Sequence, residues 1–344
     1  MIIRSFANGF EVQDWTEEVN VVPNQWGTIG QLNIFQEESV AEHSVVFEEI
    51  IKDGALLIDR VRGDRGTQGK DATRKLHNFL IPHFPHDDFI SPQDLQGKRA
   101  YGSATAAETL AAVRARKMER IRQNHAWTLE RARAQAIVLG TVYAPSGTVS
   151  QDWFAEFGIT RKTVDFTLGT STTEVIAKIE EGLAHIQDNA FGTTYSDTVV
   201  LCSPEFFAKL ISHASVKTAY MYYARSQDPL GSRLGGAATN RRVFEFGGTT
   251  FLEMRDTLGG TLGAGTGTRL IPANEAYMVV RGSDAFKTYF GPANRFDFVN
   301  TLGEQVYMFE TPDPKGTKIE LETESNFVNA LLRPALNVKF TTSN

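Results

Sequence analysis

The chain has 344 residues, of which 41% are hydrophobic and 22% charged, the proportions of a folded protein and not of a disordered one. Its formal net charge of −6 excludes a protein that coats nucleic acid with its whole surface. Cys202 is the only cysteine, which rules out an intramolecular disulfide and a cysteine-based zinc site and fits a reducing compartment.

No run approaches 18 apolar residues, so no membrane helix is expected, and the first residues lack the apolar core of a signal peptide. Residues 1–36 read as an extended arm. Val19, Val21, Val22 and Pro23 predict strand or coil there, and Trp15 and Trp26 need a surface to bury against. Residues 37–84 read as an outgoing strand, a polar tip and a returning strand. The runs 44–47 and 55–61 are β-like. The tip 63–71 has three glycines, four charges and no apolar residue, and apolar character returns over 75–84. Fully extended, each limb would reach roughly 60 Å at about 3.3 Å per residue. A lone hairpin of that length is marginal in water and needs a partner to lie on.

Residues 104–139 predict the longest helix. Thr105 and Glu108 have capping-box spacing, Gly140 supplies the stop, and Met118, Ile121, His125, Leu129, Ala132 and Ala136 trace one face. Its length of roughly 50 Å at 1.5 Å per residue suggests a spine. A turn at Pro145-Ser146-Gly147 follows, then a strand over 163–168 and a helix over 173–190. A buried strand is expected over 198–202 and a helix over 204–211 with proline in its first turn. Gly231–Ala238 and 259–268 read as flexible loops. Strands are expected over 244–246 and 249–254 about Gly247-Gly248, and over 276–280. Alternation marks 318–321 and 327–332, and 336–340 closes the chain.

Candidate chemistry is sparse. His83-Phe84-Pro85-His86 with Asp87 and Asp88 invites a metal, but Pro85 prevents a helical pair and a polar turn is the simpler expectation. Gly263, Gly265 and Gly267 lack the lysine ending of a phosphate loop and the helix of a dinucleotide site. Arg62-Gly63-Asp64 spells an adhesion tripeptide on the expected tip, a match short enough to arise by chance. No nucleophile elbow is present. The spine carries Arg114, Arg116, Lys117, Arg120, Arg122, Arg131 and Arg133 against Glu119 and Glu130, which reads as a solvated face, inter-subunit ion pairs, or contact with phosphates. No cofactor and no metal are expected, and an enzyme is not.

The order of these parts, with Glu130–Tyr143, Val199–Leu210 and Leu270–Val280 preceding Thr288–Ala293, and the closing strands 317–321 and 327–340, resembles the lambda-like tailed-phage major capsid proteins (the phage major capsid protein E family). The resemblance covers nearly the whole chain. It implies an α+β tailed-phage capsid fold: an N-terminal arm (1–36), an extended E-loop hairpin (37–84), a P-domain (85–170) with the spine helix and sheet, an A-domain (171–312) of mixed sheet with flanking helices, and return strands (313–344). It implies hexamers and pentamers of an icosahedral shell around double-stranded DNA, assembled in the host cytoplasm and carried in the virion. The E-loop would lie on a neighbouring subunit, with Arg62, Asp64, Arg65 and Lys70 of its tip in inter-subunit contact and no covalent crosslink. The further partners implied are a separate scaffolding protein, the portal and, in some such shells, a decoration protein. An encapsulin-like compartment shares the fold and is the first alternative, and a metal-dependent enzyme using His83 and His86 is the second.

Overall fold

The computed structural model describes residues 2–5, 11–21, 27–51, 73–96, 109–190, 192–223, 242–258 and 268–343. The arm supplies strands β1 (Ile2–Ser5) and β2 (Glu11–Asp14), short helices α1 (Thr16–Val21) and α2 (Thr28–Gln31), and strand β3 (Gln36–Ser39). The hairpin strands β4 (Ser44–Ile51) and β5 (Thr73–Leu80) follow, then β6 (His83–Ile90) and the spine helix α3 (Leu110–Leu139). Next come α4 (Trp153–Glu156), β7 (Thr163–Asp165), α5 (Val175–Asn189), β8 (Asp197–Cys202), α6 (Pro204–Ser212) and α7 (Ala214–Tyr223). Then the chain forms β9 (Val243–Phe246), β10 (Thr249–Glu253), β11 (Thr257–Leu258), β12 (Thr268–Arg269), β13 (Glu275–Arg281) and β14 (Phe286–Phe290). It closes with β15 (Tyr307–Pro312), β16 (Ile319–Leu331) and β17 (Val338–Thr341).

Two large sheets result. The first runs β1-β2-β15-β16-β14-β3, with β6 also on β16, and the second runs β7-β17-β13-β8-β10-β9. In the second, β8 lies between antiparallel β13 and parallel β10. Residues 198–202 are all buried, so an unbroken apolar run replaces alternation. Helix α5 approaches this sheet at Gly182, where a Cβ would come within 2.8 Å of the Phe340 ring. Ser203 caps α6, accepting the Phe206 N–H at 3.3 Å, and Phe206, Phe207 and Leu210 turn inward. Gly247 and Gly248 both take positive φ, the geometry of a tight hairpin between β9 and β10.

The spine joins the two cores. Val113, Met118 and Ile121 pack with Val19, Ile90, Met308 and Leu321, while Ala134, Ala136, Ile137 and Val138 enter the larger core under the second sheet. Gly140 ends the helix with φ 75 and donates its N–H to Ala136 O at 3.0 Å. The exposed carbonyls there are met by Arg161, which donates to Val138 O at 2.6 Å and also to Ile137 O. Burial lowers the Arg161 guanidinium to about 10, so it stays charged and complements the negative end of the helix.

Four expectations change. The arm is not all strand or coil: residues 16–21 form α1, started by the Asp14 carboxylate accepting the Thr16 N–H at 3.0 Å and held by full burial of Val19. Pro23 and Trp26 lie outside the described residues. The spine starts at Leu110 and is capped by Thr109, which is extended and whose hydroxyl accepts the Ala112 N–H, while Thr105 and Glu108 lie outside the described residues. Residues 83–88 are not a turn but the start of β6, paired from His83↔Asn326 to Ile90↔Ile319. The two alternating runs near the end are one strand, β16, interrupted in hydropathy by buried Thr323, Ser325 and Asn326, whose side chains are all hydrogen-bonded. The loops at 231–238 and 259–267 and the tip at 63–71 lie outside the described residues.

Candidate inter-subunit surfaces

The root of the hairpin is two-faced. Strands β4 and β5 pair from Ser44↔Leu80 to Ile51↔Thr73, and alternation sends Val45, Phe47, His77 and Phe79 to one side. That side is buried. Phe79 meets Trp153 edge-on at 4.6 Å, and Phe47 lies 5.3 Å from Phe79 and 5.2 Å from Tyr289. His77 stacks beside Phe157 at 4.9 Å and bonds through Nδ1 to Glu156 Oε1 at 2.6 Å. The contact with His77 holds the Glu156 carboxyl below its ordinary value. The opposite side carries Val46, Leu76 and Leu80, all exposed, Leu76 by 71%. Arg62, Asp64, Arg65 and Lys70 of the expected tip lie outside the described residues.

The cations of the spine divide by environment. The even-numbered residues of β6 face α3, and Asp88 receives Lys117 Nζ at 2.8 Å and Arg120 Nη2 at 2.6 Å. Burial pushes the Asp88 carboxyl up, but Lys117, the Phe89 N–H and Arg120 outweigh it, and the net value is lowered. Arg114 pairs with buried Glu310 at 2.7 Å and lies 4.8 Å from the Trp15 ring. Buried Arg122 donates to Gln305 at 2.5 Å. Arg133 reaches Glu37 of β3 at 2.7 Å and Thr288 of β14 at 3.2 Å. Beside it the buried Glu130 carboxylate accepts the Ile29 and Gly30 N–H groups at 2.6 and 3.2 Å. Five of the seven predicted contact residues thus have the partners just named, and Arg116, though exposed, also interacts within the chain. Arg131 is half-buried and pairs with nothing among the described residues.

The histidine motif resolves into strand geometry. His83 and His86, three apart on β6, point to opposite sides. His83 Nδ1 lies 2.7 Å from Asn326 Oδ1, and His86 Nε2 lies 3.2 Å from Asn124 Nδ2. Behind His86, His125 bridges Ser325 and Thr323 at 2.9 and 3.0 Å; burial pushes it down to about 3, aided by His86 and Arg122, so it is a neutral packing element. Among the described residues no three His, Cys, Asp or Glu side chains are placed to hold a metal. No helix among them is long and apolar enough to cross a membrane.

One surface escaped the sequence reading. The segment between β14 and β15 exposes Phe296 by 95%, together with Val299 and Leu302. The available signal was Phe296, Val299 and Leu302 standing among Pro292, Asn294, Asn300 and Gly303, where a turn-rich stretch would ordinarily be polar.

Two sheets bridged by a spine, a hairpin root packed on the body by one face, and exposed apolar side chains at Val46, Leu76, Leu80 and Phe296 make up the described subunit. The backbone is similar to that in the mature capsid of bacteriophage PhiM1, with a TM-score of 0.55 at 13% identity, covering 91% of this chain and 86% of that one. The fold is therefore of the kind found in phage capsid subunits.

The model of the family described as "Phage major capsid protein E" matches residues 11–342, and the chain belongs to that family. It is 45% identical over 346 aligned positions to the major capsid protein of Pseudomonas phage KPP10, covering 98% of each chain. It is 28% identical to the major capsid protein of Salmonella phage Felix O1 (isolate Felix O1-VT1), again over 98% of both. It is accordingly a structural protein whose copies associate into a phage capsid shell, and a component of the virion. The encapsulin-like alternative is not favoured by these relatives.

Proposed function

We propose that the chain assembles as hexamers and pentamers into an icosahedral head enclosing double-stranded DNA, with no catalytic activity of its own. The observation that carries this is the two-faced hairpin. A two-stranded arm is marginal alone, and the exposed Val46, Leu76 and Leu80 need an apolar surface that the chain's own body, already packed on the other face, does not supply. A neighbouring subunit is that surface, and Arg62, Asp64, Arg65 and Lys70 at the tip extend the contact by charge. Residues 37–84 act as this arm, 1–36 as the N-terminal arm, 85–170 as the spine-bearing domain, 171–312 as the domain that meets the capsomer axis, and 313–344 as the return strands. Arg131, half-buried and paired with nothing among the described residues, is the spine cation open to a neighbour or, non-specifically, to DNA phosphates, while Arg116 and Arg120 are exposed but already engaged within the chain. The net negative charge keeps such DNA contact local. Scaffolding and portal proteins, and a decoration protein where one is used, are the further partners, and assembly takes place in the host cytoplasm.

Negative-stain electron microscopy and size-exclusion chromatography of the chain co-expressed with its scaffolding protein test this. Shells, capsomers or tubes are expected. A persistent monomer at concentrations where scaffolding is in excess counts against it.

A further inference from the structure

The exposed segment between β14 and β15 is held firmly at its base. Phe298 packs edge-on against Tyr307 at 5.2 Å and Phe309 at 5.5 Å, and the Arg295 guanidinium lies 4.0 Å from the Phe309 ring while pairing with Glu322. Turn bonds run from Phe298 N–H to Arg295 O and from Thr301 N–H to Phe298 O. Gly303 donates to Val40 O at 3.0 Å, and a Cβ there would stand 2.2 Å from Phe290 O, so the exit of the segment is fixed by close backbone approach. Phe296 is thus presented on a rigid base. Ordering it on a partner costs little conformational entropy.

Next to this knob is a hole. A cavity of 360 Å³ opens beside Phe296, with Pro292, Ala293, Phe298 and Val299 as apolar walls and Glu42 and His43 at its polar side. Its volume exceeds that of a phenyl ring, and Asn294, Arg295 and Asn300 complete a lining that is apolar toward the ring and polar at the rim. Knob and hole share Phe296 and Val299 and belong to one segment, so every copy offers both together.

Resting on the shell-forming reading above, we infer that Phe296 of one copy seats in the cavity beside Phe296 of the next, making this segment a self-contact between subunits. The occupant is a second copy of this chain. A knob and a hole in one patch are self-complementary, so two copies related by a two-fold can exchange rings reciprocally, each Phe296 entering the other's hole. The surface adjoins the root of the hairpin, where Glu42 and His43 precede β4, and does not include the spine cations. It places an aromatic anchor, the kind of residue that dominates interfaces, at the centre of the contact.

The test uses the full chain co-expressed with its scaffolding protein. With the photoreactive analogue p-benzoylphenylalanine at position 296, irradiated particles are expected to give chain-to-chain crosslinks mapping to residues 41–43 or 292–300. Crosslinks only elsewhere on the chain, only within one copy, or only to another protein overturn the proposal. Phe296→Asp is expected to leave the melting temperature of the unassembled subunit unchanged, because the side chain is 95% exposed. Particle yield should fall by about tenfold or more, as for loss of an interface anchor, and Phe296→Leu should retain most of it. Equal yields for Phe296→Asp and wild type overturn the self-contact and leave the shell reading standing. Wild-type chain that forms no particles in the same preparation overturns the shell reading, and this contact with it.

Discussion

His77 of the hairpin and Glu156 of α4 lie 2.6 Å apart, Nδ1 to Oε1, beneath the Phe79–Trp153 contact. Through this pair β5 is anchored to the body by a polar bond in an otherwise aromatic seat.

Replacing His77 by Ala removes both the bond and a buried ring. Unfolding free energy is expected to fall by about 2–4 kcal/mol, as for other large-to-small changes at buried sites, and amide exchange over 73–80 should quicken. Because His77 depresses the Glu156 value, that carboxylate contributes stability above its unfolded value of 4.5 that is lost as pH falls through the lowered folded value. In Glu156→Gln this part of the acid-side loss should be absent. An acid limb identical to wild type would count against the pairing.

Glu130 gives the opposite sign. Burial raises its value against the pull of Ile29 N–H and Arg133, so its contribution is fullest below 4.5 and declines as pH rises through the raised folded value. Denaturation of Glu130→Gln at several pH values should show a flatter profile with near-wild-type stability at neutral pH. Glu130→Ala, which leaves two buried N–H groups without acceptors, should cost about 2–3 kcal/mol or more. Equal costs for the two variants would exclude this account.

Asp88 is held low by Lys117 and Arg120, so its stabilisation is present above the unfolded value of 3.8 and lost as pH falls through the depressed one. Asp88→Asn at neutral pH should destabilise by about 1–2 kcal/mol, between the exposed and buried extremes for ion pairs. The difference from wild type should shrink in strong acid, which denaturant titration would show.

At Gly140 the backbone has φ 75, and a Cβ would lie 2.4 Å from the Phe154 ring. Gly140→Ala combines left-handed strain with overlap and should cost about 2–4 kcal/mol in a thermal or denaturant melt. Gly147→Ala, also at positive φ but with open space around it, should cost about 1–2 kcal/mol.

Leu76→Asp and Leu80→Asp alter only the outward face of the hairpin. Unassembled subunits should keep their melting temperature, while sedimentation should show markedly fewer particles. Undiminished assembly would remove the hairpin's outer face from the interface.

Much of the fold was legible in the sequence where periodicity and terminators agree. The spine stripe from Met118 to Ala136, the stop at Gly140 and the Ser203-Pro204 helix start rest on local chemistry, and the structure keeps them. Local chemistry misled where a distant partner decides. Thr105 with Glu108 has the better capping pattern, yet Thr109 caps the helix. His83–Asp88 looked like a polar turn because its hydrogen-bonding partners, Asn326 and the spine residues Asn124 and Lys117, lie far away in sequence. The break in β16 was invisible as strand for the same reason: Ser325 and Thr323 are buried only because His125 bonds them. Of the candidate contact residues, the cations were recognised by charge alone, but their carboxylate partners Asp88, Glu310 and Glu37 sit on other elements. Phe296 went unremarked because a lone aromatic in a loop carries no periodic signal.

The parallel pairing of β3 with β14 carries a consequence for synthesis. Glu38 and Lys287, joined at 2.8 Å beside that pairing, are 249 positions apart. At 5–20 residues per second a ribosome takes roughly 10–50 s to bring the second within reach of the first. During that interval the arm strand has no sheet to join, and the first sheet remains unfinished until β14, β15 and β16 emerge. A nascent chain therefore cannot present a finished subunit surface before β14 has emerged. The strand that waits, Gln36–Ser39, is polar along its whole length and can do so in solvent.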